Sequence, residues 1–352
     1  MQTAISEITL VFFTTLAPAG VVACIGMLAP AVVERLSGDE RTRIDRWVFV
    51  PLVVSMLGLV ASSTHLGQPE NALYVFTGVG RSPLSREVFA AVVFLALCGV
   101  YWLYSFAQRP RRMLQDVWAV LIMLAGLVFL VQLGFAYSVA TIPTWSSSYV
   151  PAGLWLNALV AGPLLAVACL LLARYQTASG RLGWTYTAVS AIALVANTLV
   201  YVQQCGEMLG IENAFTSAVQ LVPHYPAMIA AFALLCAMGI ALVVVNLRKF
   251  RAGFDPAGSA PEAQEPLARD VVSGLRNARA GFDLAGSAPE DQEPFARDVV
   301  SNLSSGPQVG PQPVMPAKRQ LAATLPSLIG CVLAFAGIFI MRFAFYMMHM
   351  TL

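Results

Sequence analysis

Residues 117–173 read VWAVLIMLAGLVFLVQLGFAYSVATIPTWSSSYVPAGLWLNALVAGPLLAVACLLLA, 57 positions without one Asp, Glu, Lys or Arg. A bilayer core about 30 Å thick takes about 20 residues of helix, so this stretch is too long for one crossing and suits two. Pro143 and Pro151 bracket the polar run Ser146-Ser147-Ser148, which predicts a turn there. Lipid cannot satisfy bare N–H and C=O groups, so each crossing is a closed helix. Hydropathy that is continuous rather than alternating excludes the strands of a β-barrel. Outward from this stretch, further charge-free segments cover 8–33, 47–69, 88–108, 182–206, 213–247 and 320–341. The expected fold is an all-α integral membrane protein with eight transmembrane helices.

Composition agrees: 58% of the 352 residues are hydrophobic and 11% charged, against about 45–50% and 25% in a soluble domain. The net charge of +2 carries no message about nucleic acid, because basic residues in such a chain are read by position. No Lys or Arg precedes the first apolar run, so an uncleaved first span is expected rather than a secretory signal. The six cysteines contain no CxxC pair and read as small buried hydrophobes rather than cluster or zinc ligands.

The short loops after helices 1, 3 and 5 hold nine basic residues, Arg35, Arg41, Arg43, Arg46, Arg109, Arg111, Arg112, Arg174 and Arg181. The opposite side holds Arg81, Arg86 and Arg342. Positive charge stays inside, so both termini are expected in the periplasm of a bacterium, with the chain in the inner membrane. Residues 251–278 and 279–306 are near-identical copies beginning RAGFD and rich in Pro, Gly, Ala and charge. The organisation expected is therefore helices 1 to 7 in 1–250, a disordered cytoplasmic loop over 251–320, and helix 8 with a periplasmic C-terminus in 321–352.

Chemistry is confined by the scarcity of polar residues. The three histidines, His65, His224 and His349, fall at the outer ends of helices 2, 7 and 8. A haem pair stacked across the membrane needs ligands at both depths, and the inner half offers none; a single outer haem stays open on counting alone. Helix 2 runs into His65-Leu66-Gly67, and Arg81 and Arg86 follow on an outer loop against the insertion bias, just before Glu87 at the start of helix 3. Those two arginines suit a partner or phospholipid contact as well as a site. Arg342, Tyr346 and His349 stand at i, i+4 and i+7, on one helical face. Arg342 either snorkels to the headgroups or turns into the bundle. In the second case it joins His65 and Glu87 in a polar pocket fit for a quinone: groups to hydrogen-bond two ring oxygens, a carboxylate to take a proton, and apolar walls for the tail. The other polar residues within spans, Gln132, Asn157, Asn197, Gln203, Gln204 and Asn246, read as interhelical hydrogen bonds.

The pieces HLGQPENAL from His65, GVGRSPLSREV from Gly78, ATIPTWSSSYVPAGLW from Ala140, AGPLL from Ala161, AVQLVPHY from Ala218 and RFAFYMMHM from Arg342 make the chain resemble the DmsC-type membrane anchors of DMSO-reductase-like molybdoenzymes. The resemblance implies a haem-free eight-helix anchor. It would hold an iron–sulfur electron-transfer subunit and a molybdopterin catalytic subunit, and exchange electrons with menaquinone or ubiquinone in anaerobic respiration, with no haem or metal in this chain. The family's quinol-site histidine carries onto His65 and its acidic residue onto Glu87. Glu70 and Asn71 depart from the basic residues that family members can carry there. The full candidate quinone-binding set is His65, Gly67, Arg81, Glu87, Arg342, Tyr346 and His349. Terminal substrate, quinone type and direction of electron flow stay open. A polysulfide-reductase-type quinone-reactive anchor is the near alternative. A secondary transporter is the distant one, disfavoured by a midplane that reads as nearly apolar.

Overall fold

A computed structural model describes residues 5–34, 36–64, 69–212, 217–252 and 317–349. Among them are eight helices long and apolar enough to cross a membrane. The elements are α1 (Ile8–Val33), α2 (Gly38–Trp47) and α3 (Phe49–Ser63), α4 (Pro83–Tyr104), α5 (Arg112–Tyr137), α6 (Tyr149–Leu172), α7 (Arg181–Met208), the single turn α8 (Ala218–Leu221), α9 (Tyr225–Ala252) and α10 (Ala317–Met347). Helices α2 and α3 together form the second crossing, Gly38–Ser63. The spans and the segment Ala252–Arg319 are separate units. The duplicated copies, and the disorder expected of them, lie outside the described residues from 253 onward.

The 117–173 stretch divides in two. Helix α5 stops at Tyr137, a 3-10 turn covers Pro143–Trp145, and α6 begins at Tyr149. Pro143 belongs to the break, whereas Pro151 sits in the first turn of α6, where the backbone N–H has no helical partner to lose.

Two helices form the centre. In α6, 83% of the apolar window is buried within the protein and in α1 61%, against 33–50% in the others. A helix apolar on every side and buried on most of them is an axial element around which the rest pack. Small residues allow the approach: a Cβ on Gly20 of α1 would stand 2.3 Å from Ser55 Oγ of α3, and one on Gly162 of α6 would stand 2.5 Å from Val22. The last two spans meet backbone to backbone, since a Cβ on Gly239 of α9 would lie 2.4 Å from the Gly330 carbonyl oxygen of α10. Asn246 donates to Ser327 Oγ at 2.7 Å across the same pair.

Eight crossings bring the chain back to the side where α1 starts. That end of the bundle collects the starts of α1, α4, α6 and α9 and the ends of α3, α5, α7 and α10. It is called the N-terminal end below.

Candidate functional site

Helix α10 brings the least expected residue inward. Arg342 is only 3% exposed, and its Nε donates to Thr14 Oγ1 of α1 at 2.9 Å. Thr14 in turn donates to the Leu10 carbonyl one turn back, so its hydroxyl is fixed with a lone pair toward the arginine. The guanidinium carbon lies 4.2 Å from the Phe345 ring centre and 5.7 Å from those of Tyr137 and Tyr346. These are cation–π distances, and in a desolvated site they offset part of the cost of burying the charge. Arg342 therefore faces the bundle, and the snorkelling alternative does not describe it. Its Nη2 is buried without a hydrogen-bond partner among the described residues.

Glu87, at the fifth position of α4, is 1% exposed, and neither carboxylate oxygen has a hydrogen-bond partner among the described residues. It makes no ion pair there with Arg342, yet both lie close enough to act electrostatically on the Tyr137 phenol at the end of α5. The Tyr346 hydroxyl neighbours Tyr137, Thr14 and Arg342 but reaches none of them in ordinary hydrogen-bond geometry. The turn between α5 and α6 closes the cluster. Trp145 stacks on Phe345 with centres 4.5 Å apart and meets His349 edge-on at 5.2 Å. Its indole N–H and the Thr144 hydroxyl donate to the Phe345 and Met348 carbonyls, 3.2 and 2.6 Å away, which caps the end of α10.

A narrow cleft of about 10 Å³, room for about one water molecule, opens to Arg342 between α6, α7, α9 and α10, lined in part by Tyr149, Tyr201, Gln204 and Tyr225. Tyr225 donates to Gln204 Oε1 at 3.0 Å. Deeper, Asn197 donates to Asn157 Oδ1 and Asn157 to the Tyr201 hydroxyl, both at 2.8 Å. Asn157 stands eight residues into α6, roughly 12 Å from the end at 1.5 Å per residue. The middle of the bundle is thus more polar than its sequence suggested, and Asn197 Oδ1 is left without a hydrogen-bond partner among the described residues.

Of the sequence-derived set, Glu87, Arg342, Tyr346 and His349 gather around Tyr137 and Trp145. Arg81 is exposed on the turn before α4 and stands apart from this buried group. His65 and Gly67 lie outside the described residues, directly after Thr64, which caps α3 at the N-terminal end. Thr14, Tyr137 and Trp145 are additions that residue type alone did not single out. A threonine pair in an apolar run and an aromatic at a helix end are ordinary features until α10 is set beside them. Among the described residues, no three His, Cys, Asp or Glu side chains converge as a metal site would require.

The opposite end holds a second buried arginine. Arg41 of α2 is 2% exposed, and its Nε donates to both oxygens of Asp45 at 3.1 and 3.2 Å. Its Nη1 reaches Asp116 Oδ1 of α5 at 2.8 Å and the Ala31 carbonyl of α1, and its Nη2 reaches the Tyr101 hydroxyl of α4 at 3.0 Å. Asp45 also accepts from Tyr101 at 2.6 Å and from Gln115 at 3.0 Å. In the sequence Arg41 reads only as a topology signal; its i, i+4 spacing to Asp45 is the available clue. Just outside the spans at this end, Tyr175 donates to Glu34. Burial, and then that carboxylate, hold its phenol pKa above the usual value.

Comparison with known proteins agrees with this architecture. The sequence profile of the family described as DMSO reductase anchor subunit (DmsC) matches residues 1–253. The C subunit of the anaerobic dimethyl sulfoxide reductase of Escherichia coli K12 is 31% identical over 226 residues, 63% of this chain and 76% of that protein. The anaerobic dimethyl sulfoxide reductase subunit YnfH of the same organism is 31% identical over 201 residues, 56% of this chain and 69% of its own length. The corresponding C subunit of Haemophilus influenzae is 30% identical over 228 residues, 65% of this chain and 80% of that protein. With a family match over most of its length, and eight membrane-spanning helices in the order that its sequence requires, this multi-pass membrane protein belongs to the DmsC family of DMSO reductase anchor subunits.

Proposed function

We propose that this chain is the haem-free anchor of a bacterial inner-membrane complex, and that it oxidises menaquinol at the N-terminal end of the bundle. The electrons pass to an iron–sulfur subunit and from there to a molybdopterin subunit that reduces DMSO or a related S- or N-oxide. The observation that carries the reading is Glu87: a carboxylate buried to 1% exposure with both oxygens unpaired among the described residues, in a cluster whose arginine also has a free nitrogen. Buried polar groups are nearly always paired, so those left without partners are explained by a ligand that completes them.

A quinol supplies what is missing. Two O–H bonds break at the ring oxygens, two electrons leave for the iron–sulfur partner, and two protons are released. Glu87 accepts a proton, His65 and Tyr346 hydrogen-bond the ring oxygens, and the unpaired Nη2 of Arg342 favours the negative charge that develops on oxygen. Apolar walls and open lipid beside the helices accommodate the isoprenoid tail. With all candidate groups at one end, the electron-accepting partner docks on that same face, and no charge crosses the roughly 30 Å core. By the distribution of arginines that face is the periplasmic one.

His65→Arg in the assembled complex tests the reading. Quinol-dependent turnover should disappear while activity with a soluble artificial donor persists; unchanged quinol turnover would refute the assignment. A reporter active only in the periplasm, fused to the C-terminus, should be active if the orientation is right.

A further inference from the structure

The end of the bundle opposite the quinol cluster carries a groove with a different chemistry. Arg46, Trp47 and Phe49, around the α2–α3 junction, face Trp102 and Phe106 at the end of α4 across a cleft of about 200 Å³. The rings make a continuous wall: Trp47 and Phe49 lie 5.7 Å apart, Phe49 and Trp102 6.3 Å, and Trp102 and Phe106 5.3 Å, edge to face. The Trp102 indole N–H is spent on the Arg46 carbonyl at 3.0 Å, which ties α4 to α2 and leaves the ring faces as the contact surface. Phe49 and Phe106 remain 39% and 52% exposed.

Arg46 stands at the head of this wall, its guanidinium carbon 5.1 Å above the Phe106 ring. It makes no ion pair among the described residues. The adjacent Asp45 cannot serve, because Arg41, Tyr101 and Gln115 already occupy its two oxygens. The result is an exposed cation with a planar donor fork, parked on an aromatic ring at the end of two membrane spans, above an open apolar cleft. Aromatic rings favour the headgroup level of a bilayer, and a guanidinium matches a phosphodiester with two parallel hydrogen bonds.

We infer that this groove is a binding site for one anionic phospholipid, its phosphate on Arg46 and the start of an acyl chain along Trp47, Phe49, Trp102 and Phe106. The site is independent of the quinol reading. Its occupant would join α2, α3 and α4 at the level where Arg41 and Asp45 join α2 to α4 and α5, and so brace that end of the bundle.

Native mass spectrometry of the full chain, delipidated in detergent and then given phosphatidylglycerol or phosphatidylcholine, tests the site. The wild type should retain one phosphatidylglycerol with about tenfold preference over phosphatidylcholine, the scale of one charge-assisted contact. Arg46→Gln should abolish the preference, and Arg181→Gln, an exposed arginine at the same end, should leave it intact. Phe106→Ala should lower retention of both lipids. Excess inorganic phosphate should not displace the bound lipid. Equal retention of the two lipids by the wild type, a preference that survives Arg46→Gln, or displacement by phosphate would each overturn the proposal. If Arg46→Gln does not fold, Arg46→Lys keeps the charge without the fork and should retain a reduced preference; full preference there would also count against the site.

Discussion

Both ends of the bundle bury an arginine and a carboxylate, and they treat the two charges in opposite ways. At the end of α2, every nitrogen of Arg41 and both oxygens of Asp45 are engaged, through partners drawn from α1, α2, α4 and α5. At the N-terminal end, Arg342 has one partner through Nε and a free Nη2, while Glu87 has no side-chain hydrogen bond at all among the described residues. A satisfied buried network fixes helices against one another. A half-satisfied one costs stability in the resting protein, and it is understandable where a ligand supplies the missing partners. The contrast separates a clasp from a site.

That contrast can be broken by substitution. The largest effect is expected from Asp45→Asn, which strips the charge from the centre of the clasp. Removing one partner of a buried ion pair costs about 3–5 kcal/mol, and about 3 kcal/mol is expected here because Asp116 still faces Arg41. Denaturant unfolding in detergent reads this, and quinol turnover per folded molecule should hold. Glu87→Gln should do the reverse. Quinol-dependent turnover falls by about a hundredfold, equivalent to about 2.7 kcal/mol in the barrier, with no loss of stability. If Glu87→Gln unfolds the protein and leaves turnover alone, the two ends have been assigned the wrong way round.

Thr14→Val keeps the shape but removes the acceptor from Arg342. A hydrogen bond to a charged group contributes about 1.5–3 kcal/mol, and the loss should appear mainly as a raised KM for quinol, with artificial-donor activity unchanged. The smallest effect is expected at Tyr175. Its phenol pKa is raised above the usual value of about 10 by burial and by Glu34. The folded state therefore holds that proton more tightly than the unfolded chain. Its contribution is fully present below about pH 10 and declines as pH rises from there toward the folded value. Tyr175→Phe should flatten that alkaline decline in a stability profile taken between about pH 8 and 11.

The sequence was informative where lipid imposes the rules and silent where side chains choose partners. The charge-free stretches located the crossings, because a charge in hydrocarbon is penalised wherever it falls, although the second span starts at Gly38 rather than 47 and the seventh at Tyr225 rather than 213. The division of residues 117–173 followed from length, although Pro151 proved harmless at a helix start while Pro143 lies in the break. Glu87 and Arg342 stood out because so few charges lie near helix ends. Thr14 and Tyr137 did not, since each is ordinary in its own segment and becomes part of a site only once α1, α5 and α10 converge. Arg41 was legible as a charge and illegible as a clasp, because Ala31, Tyr101 and Asp116 lie where the i, i+4 rule does not reach.

What the sequence by itself determined is the class of the molecule, the number of its crossings, and the short stock of residues from which a site can be built. Scarcity of charge is a linear property, and the bilayer reads it one segment at a time. Only the tertiary structure decided which buried charges are paired. Arg41 meets Asp45 and Asp116, whereas Arg342 meets a threonine and a ring of aromatics and stops short of Glu87. Pairing depends on distances of a few ångströms between helices that are far apart along the chain, and no period or composition records them.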